Sequence, residues 1–382
     1  MNCFALDVET TTRTKGNPFD STNKFVLGAI GTDTDYINYT SDNWHIIQDY
    51  INTCKMVVLF NGKFDLHWMR NLGMDIDPRL PIWDCQLAEF ILENQRNPYP
   101  SLEGTAQKYG VGHKLDIVKT EYWDKGIDTD KIPFNILDVY LRQDISVTYL
   151  VYLKQVEEYK KPEHRGKYNL FRMQCYDLLA LEDMEYNGFL FDVENAKKKS
   201  DILNQQREEI ERELLGLFPD IPINLGSGDH VSCMLYGGTI TEEYRIPIGE
   251  YKTGAKVGQT RFKLAYQEYV LPRIVEPLPN SNLSKEGYFA TDEPTLKNLK
   301  PDKKVKRIID LLLERRGLEK LRGTYYDGIP KMIEEKCWKE NIVHGNLNQC
   351  VARTSRLSAT QPNQQNQPPD CKKLCITKYP SK

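Results

Sequence analysis

The first 160 residues alternate short apolar runs with amphipathic stretches. CFALDVET (3–10) is apolar and ends in acids, the pattern of a core strand that reaches solvent. KFVLGAIGTD and DYINYT read as a hairpin pair, NWHIIQDYINT as a helix and KMVVLFNG as a buried strand. Three helical patterns follow, FDLHWMRNLGM, IWDCQLAEFILEN and SLEGTAQKYG, and then a long one from about Phe134 to Tyr159. That succession predicts an α/β or α+β domain with a central sheet.

KKPEHRGK (160–167) is polar, contains a proline and reads as a linker. After it the pattern is mostly helical, with long amphipathic segments over about 191–217 and about 304–336. Between them, over about 221–298, the chain is rich in Gly, Pro and Tyr and reads as loops and short strands. The predicted division is a domain at 1–160, a linker at 161–167 and a second domain at 168–382.

At 382 residues the chain has room for two or three domains. Its 40% hydrophobic and 27% charged residues are those of a soluble globular protein. There is no apolar run of about 18 residues, so no membrane span is expected. MNCFALDVET lacks the basic start and apolar stretch of a signal peptide. The nine cysteines are odd in number, and the nearest approach to a CxxC pair is Cys371 and Cys375. That argues against a disulfide framework or zinc site and for a reducing cytosol. The net charge of −3 hides an asymmetry. Residues 1–160 carry 23 acidic and 16 basic side chains, a net of −7, and the remainder carries 31 and 35, a net of +4. An acidic half joined to a mildly basic half suits a metal site beside a polyanion-binding surface.

Three acidic clusters stand out. Asp7 and Glu9 lie two apart on a predicted strand and so share a face. Asp65, in NGKFD (61–65), falls on the first turns of a helix that Asn61 is placed to cap. Tyr140 and Asp144, in YLRQD, are four apart on a helical pattern and share a face. Singly, each has an ordinary reading as a solvated strand end, a helix-dipole partner, or packing beside a surface charge. Brought together, four carboxylates persist only around cations, and hard divalent ions such as Mg2+ or Mn2+ prefer oxygen ligands.

LDVET, NGKFD and YLRQD, in that order, resemble the three motifs of the DEDD family of 3′–5′ exonucleases, in its tyrosine-bearing branch. The resemblance covers about residues 1–155 and implies an α/β RNase H-like fold with two divalent metal ions. It implies that Asp7, Glu9 and Asp144 hold the first metal. Asp7 would bridge to the second, with Asp65 helping through water. It assigns Tyr140 and Glu9 to the nucleophilic water, Asn61 to the bound strand, and Asp84 to structural support.

In the second half, ERRGLEKLRGTYYDGI (314–329) gathers Arg315, Arg316, Lys320 and Arg322 ahead of Tyr325 and Tyr326. The pattern is that of a solvated helix face with core tyrosines, or of a contact with a phosphate backbone. MEYNGFLFDVENA, INLGSGDHVSCMLYGG, that segment and HGNLNQCVARTSRLSATQPNQQNQP (344–368) resemble, in order, segments of family A DNA polymerases. The last is similar to the signature TGRLSSxxPNLQNIP, with Ser355 where the family usually has Gly and Gln365 and Gln367 in place of Leu and Ile. The resemblance implies a thumb and the start of a palm. Arg322 would contact DNA, and Arg356, with Gln365 and Asn366 nearby, would reach the minor groove, whose readout is largely insensitive to base identity.

The final DCKKLCITKYPSK resembles the approach to the palm Asp, and no DYSxxE-like motif follows it. The expectation is therefore the proofreading exonuclease portion of a compact, bacteriophage-type family A polymerase that acts in DNA replication. Polymerisation would need the rest of the palm and fingers, expected on a second polypeptide or in a missing C-terminal part. The expected partners are DNA, as a single-stranded 3′ end and as primer–template, and no membrane. The expected location is the cytoplasm. Two other readings stay open at this point, a free-standing RNA-processing exonuclease and a non-catalytic primer–template-binding subunit.

Overall fold

A computed structural model describes residues 2–113, 115–283 and 285–377. The chain forms two compact units. The first comprises Met1–Glu194 and Ile329–Lys382, the second Asn195–Gly328. The first unit thus holds the predicted N-terminal domain together with both ends of the predicted second one. The five residues 378–382, at the end of the palm-like approach, lie outside the described residues.

The first unit is built on a five-stranded sheet of order β3-β2-β1-β4-β5. Its elements are β1 (Cys3–Thr10), β2 (Phe25–Gly31), β3 (Tyr36–Tyr39), α1 (His45–Thr53), β4 (Met56–Leu59), α2 (Lys63–Asn71), β5 (Ile82–Asp84), α3 (Cys85–Leu92), α4 (Leu102–Tyr109), α5 (Ile117–Glu121), α6 (Phe134–Tyr159) and α7 (Arg165–Asn187). β1, β2 and β3 are antiparallel neighbours, and β4 and β5 run parallel to β1. Phe4, Leu6, Val57, Val58 and Leu59 are fully or almost fully buried, each contributing about 1.5–3 kcal/mol.

Two expectations change here. IWDCQLAEFILEN is not all helix, because its first three residues form the edge strand β5. A three-residue strand buried on a parallel edge has no periodicity of its own to show in sequence. The second concerns 161–167, where the expected linker takes the form of a single turn at Pro162–His164 running into α7.

β6 (Phe189–Phe191) leads into α8 (Val193–Gly216), and the second unit continues with α9 (Gly228–Tyr236), β7 (Gly238–Glu250), β8 (Thr260–Leu271), α10 (Glu293–Asn298) and α11 (Lys303–Leu321). Its core includes Leu214, Val231, Met234, Leu235, Ile308, Leu311 and Leu312. The stretch read as loops holds a long antiparallel hairpin, β7 and β8. Tyr244, Ile246 and Ile248 of β7 and Phe262, Leu264 and Tyr266 of β8 do alternate with other residues, but the Gly, Pro and Tyr content of the stretch masked the two strands. The helix expected over 304–336 is broken by a π-helical turn at Arg322–Tyr326 before α12 (Gly328–Glu335). The chain then returns to the first unit through β9 (Ile342–Val343), β10 (Asn346–Asn348), β11 (Ser358–Thr360), α13 (Pro369–Lys372) and β12 (Cys375–Ile376). β6 sits between β12 and β9 in a small sheet, and β10 pairs with β11. Among the described residues no helix is long and apolar enough to cross a membrane.

Candidate active site

The site is organised by β1. Its period of two puts Ala5, Asp7 and Glu9 on one face, in register with Gly31, Ala29 and Leu27 of β2. α6 covers this face. The Tyr36 hydroxyl and the Asn38 amide, from the β3 residues paired with Gly31 and Ala29, donate to the Asp138 carboxylate at 3.0 and 2.6 Å. The small residues let the helix come close. A Cβ on Gly31 would lie 3.0 Å from Ile145 Cγ2 and 2.4 Å from the Asp35 carbonyl oxygen. Asp144, one residue before Ile145, is thereby brought to Asp7 and Glu9, and the carboxylate oxygens of the three lie within 4.8 Å of one another. Asp144 and Glu9 are buried. Each pair of bare charges at that distance repels by roughly 3–4 kcal/mol at an effective dielectric near 20.

Asp65 arrives differently. β4 pairs with β1 only as far as Ala5, which leaves the later edge of β1 open. The first turn of α2 occupies that edge, and the Val8 backbone N–H donates to the Asp65 carboxylate. Asp65 is 2% exposed and its Oδ1 has no hydrogen-bond partner among the described residues. Burial first, then the charges of Asp7 and Asp84, pushes its pKa well above the usual carboxylate range. Asp65 thus feels Asp7 without joining the three-carboxylate group. A divalent cation accepted by oxygen ligands would relieve both the mutual repulsion and the unsatisfied oxygen, so the donor set fits such an ion.

Tyr140 lies on the same helix as Asp144 and is buried, with its ring edge-on to Trp123 at 6.1 Å and 78°. The Trp123 indole N–H donates to Thr129 Oγ1 at 3.1 Å, which fixes that ring in turn. Trp123 carried no signal in the sequence, since it belongs to a segment without periodicity. Tyr39 was also missed. Its ring lies over Gly28, where a Cβ would come within 2.3 Å of Tyr39 Cζ. Burial, and then the charges of Asp65 and Asp7, raises its phenol pKa.

Asn61 does not cap α2. It adopts a left-handed φ of +63°, and Gly62 takes the cap position with no side-chain cap. The reason is Asp84, whose carboxylate accepts from the Gly62 N–H at 2.7 Å and from the Leu87 N–H at 2.8 Å, capping α3 while holding the Asn61 turn. Burial raises the pKa of Asp84. Asp84→Ala is expected to cost about 2–3 kcal/mol, since it strands two buried N–H groups. A change below about 1 kcal/mol in denaturant unfolding would contradict this role.

Asn61 instead faces an open cleft of about 830 Å3, lined also by Lys15, Phe19, Lys63, Phe64, Trp338 and His344. Phe19 and His344 stack at 3.9 Å, with Trp338 edge-on to His344. Lys63 is clamped by Glu185 of α7 at 2.6 Å and by the Leu347 carbonyl of β10 at 2.5 Å. His67 bridges Glu182 and Glu185 at 3.1 and 3.0 Å, and Arg70 reaches Glu182 at 3.0 Å.

Comparison with known proteins places the chain. Residues 258–376 match DNA polymerase family A. DNA polymerase I of Synechocystis sp. is 27% identical over 316 residues, covering 81% of this chain and 27% of that protein. The DNA polymerase of Bacillus phage SP01 is 26% identical over 341 residues, covering 81% of this chain and 34% of that one. The chain is related to the family A DNA polymerases. It spans about a quarter to a third of the length of these curated relatives. A solved structure of the POL domain of Pol1 from M. smegmatis, in complex with DNA primer-template and dNTP, shares the fold with a TM-score of 0.65 at 17% identity. That likeness covers 96% of this chain and 52% of that one.

Within the segment that matches family A, Ser355 has a φ of +55° and its hydroxyl accepts from the Gln95 amide. A left-handed backbone is where glycine is otherwise favoured, which explains the residue this position departs from. Arg356, Gln365 and Asn366 are exposed. Gln365 and Asn366 lie on a short turn capped by Asn363, which accepts from both backbone N–H groups. Arg322, in the π-helical turn, is held at 2.8 Å by both Asp327 and Asn204. Arg315 is buried, donating to Glu211 and the Leu225 carbonyl, and Arg316 donates to the Thr291 carbonyl. Of the four cations singled out in 314–329, three are thus engaged within the second unit, while Lys320 is exposed.

Proposed function

We propose that this chain carries the 3′–5′ proofreading exonuclease of a phage-type family A DNA polymerase and removes 3′-terminal nucleotides from DNA during replication. The observation that carries the reading is the convergence of Asp7, Glu9 and Asp144 within 4.8 Å on a sheet face closed by α6. Asp7, Glu9 and Asp144 would hold one Mg2+ or Mn2+ ion, and Asp7 with Asp65 a second. When bound, two such ions activate a water and stabilise the leaving oxygen of a phosphodiester. Tyr140 and Glu9 orient the attacking water, and Trp123 keeps the Tyr140 ring in place. Asn61 supports the strand end at the rim of the cleft, where the half-buried Phe19 and His344 offer stacking surfaces to single-stranded bases and the buried Trp338 packs edge-on against His344. Arg356, Gln365 and Asn366 contact primer–template DNA.

Tyr140→Phe removes the hydroxyl and keeps the ring. It is expected to lower kcat on a 5′-labelled single-stranded oligonucleotide roughly tenfold to a hundredfold, with KM within about twofold. An unchanged kcat would remove Tyr140 from the site. With Mg2+ or Mn2+ present, the DNA oligonucleotide should yield nucleoside monophosphates, and the matched RNA much less. Binding of DNA without digestion would sink the reading.

A further inference from the structure

The β7–β8 ribbon is larger than a connection needs to be. Its strands pair from Gly238↔Leu271 to Glu250↔Thr260, and among the described residues neither edge pairs with another strand. At about 3.3 Å per residue it is roughly 40 Å long. Ile240 and Leu271 are buried at its base, and beyond them it is almost wholly exposed. A bare two-stranded ribbon is marginal in water, and this one displays large side chains. Phe262, Leu264 and Tyr266 alternate along β8, so they share one face, and they are 50%, 46% and 61% exposed.

Charge is segregated along the ribbon. The base, residues 238–244 and 264–271, carries Glu242, Glu243 and Glu268 and no basic residue, a net of −3. The far half, residues 245–263, carries Arg245, Lys252, Lys256, Arg261 and Lys263 against Glu250 alone, a net of +4. All five cations are exposed. At the tip the Lys256 ammonium lies 6.0 Å from the centre of the Tyr251 ring. Exposed cations interleaved with aromatics are the composition of a surface that tracks a phosphate backbone. A two-stranded ribbon is also of a size that the major groove of duplex DNA admits.

We propose that the far half of this hairpin binds the phosphate backbone of duplex DNA. The acidic base keeps the contact at the tip, because a polyanion drawn to the cations is repelled from the three glutamates. A protein partner or a second copy of the chain would use the Phe262, Leu264 and Tyr266 face instead, where Arg245 lies opposite Leu264, and would depend little on the other four cations. The inference rests on the reading that the chain works on DNA, but not on its exonuclease site.

The test is duplex binding by the full chain across a salt series. In the variant with Arg245, Lys252, Lys256, Arg261 and Lys263 all changed to Ser, affinity for a primer–template of roughly 30 base pairs is expected to fall at least tenfold, and the slope of log K against log salt by about 3 to 4. A second variant, with each Lys changed to Arg and each Arg to Lys, is expected to keep the wild-type slope. Digestion of a short single-stranded oligonucleotide should stay within about twofold in both, which shows that the chains are folded and separates this test from that of the nuclease site. A five-Ser variant with the wild-type slope would overturn the proposal. So would a wild-type chain that self-associates in sedimentation, becomes monomeric as Phe262→Ser/Tyr266→Ser, and binds duplex equally well in both forms.

Discussion

Asp144→Ala is expected to lower the metal-dependent digestion of single-stranded DNA by roughly a thousandfold or more, the equivalent of at least about 4 kcal/mol of barrier. Asp144 is buried on α6 and its carboxylate lies within 4.8 Å of those of Asp7 and Glu9. Removing it takes away one of the three close oxygen donors proposed to hold a cation. It also removes mutual repulsion, so the variant should be no less stable than the wild type in the absence of metal. This pairing of lost activity with retained stability separates a metal-binding role from a structural one. Asp7→Ala should behave in the same way. The measurement is shortening of a 5′-labelled oligonucleotide, alongside thermal unfolding in EDTA. Digestion at the wild-type rate would sink the site assignment.

Glu185→Ala carries the largest expected effect on stability, a loss of about 3–5 kcal/mol. Glu185 is 4% exposed and accepts from Lys63, His67 and the Leu347 N–H, so one carboxylate ties α2, α7 and β10 together. Its removal leaves the Lys63 ammonium with only the Leu347 carbonyl and deprives His67 of one of its two acidic partners. All five tryptophans, Trp44, Trp68, Trp83, Trp123 and Trp338, belong to the first unit, so tryptophan fluorescence in a denaturant series reports on that unit alone. A loss below about 1 kcal/mol would show that the cluster contributes little. Burial acts to raise the pKa of Glu185, but the bonds from His67 and the charge of Lys63 outweigh it and hold the pKa below the ordinary 4.5. Its contribution is therefore fully present above about pH 4.5 and is lost as pH falls through the lower, folded value. The difference between wild type and variant should shrink in acid.

Much of the first unit was legible in the chain. The long helix was bounded at Phe134 and Tyr159, and α6 spans Phe134–Tyr159, because a proline precedes it and a charged, proline-bearing stretch follows. The hairpin pair of β2 and β3 was readable because apolar runs and turn residues alternate there. The second unit was less legible. The ribbon of β7 and β8 alternates at Tyr244, Ile246 and Ile248 and at Phe262, Leu264 and Tyr266, but β7 contains Pro247 and Gly249 at a break in its register, and such residues read as a loop. The expected helix over 304–336 conceals its π-helical turn, since hydrophobic spacing continues through the break.

The candidate site divides along the same line. Strand and helix periods put Asp7 with Glu9 and Tyr140 with Asp144 on common faces, and the resemblance of LDVET, NGKFD and YLRQD to the exonuclease motifs singled out these four with Asp65. Nothing in those periods says how closely two elements approach. That was decided by the tertiary structure. Gly31 and Ala29 let α6 bring Asp144 to β1, the early end of β4 leaves Val8 open to Asp65, and Asp84 takes the Gly62 N–H and turns Asn61 toward the cleft. Each is a contact between residues distant in sequence. The chain alone singled out the side chains proposed to carry the chemistry, and only packing decided where they lie relative to one another.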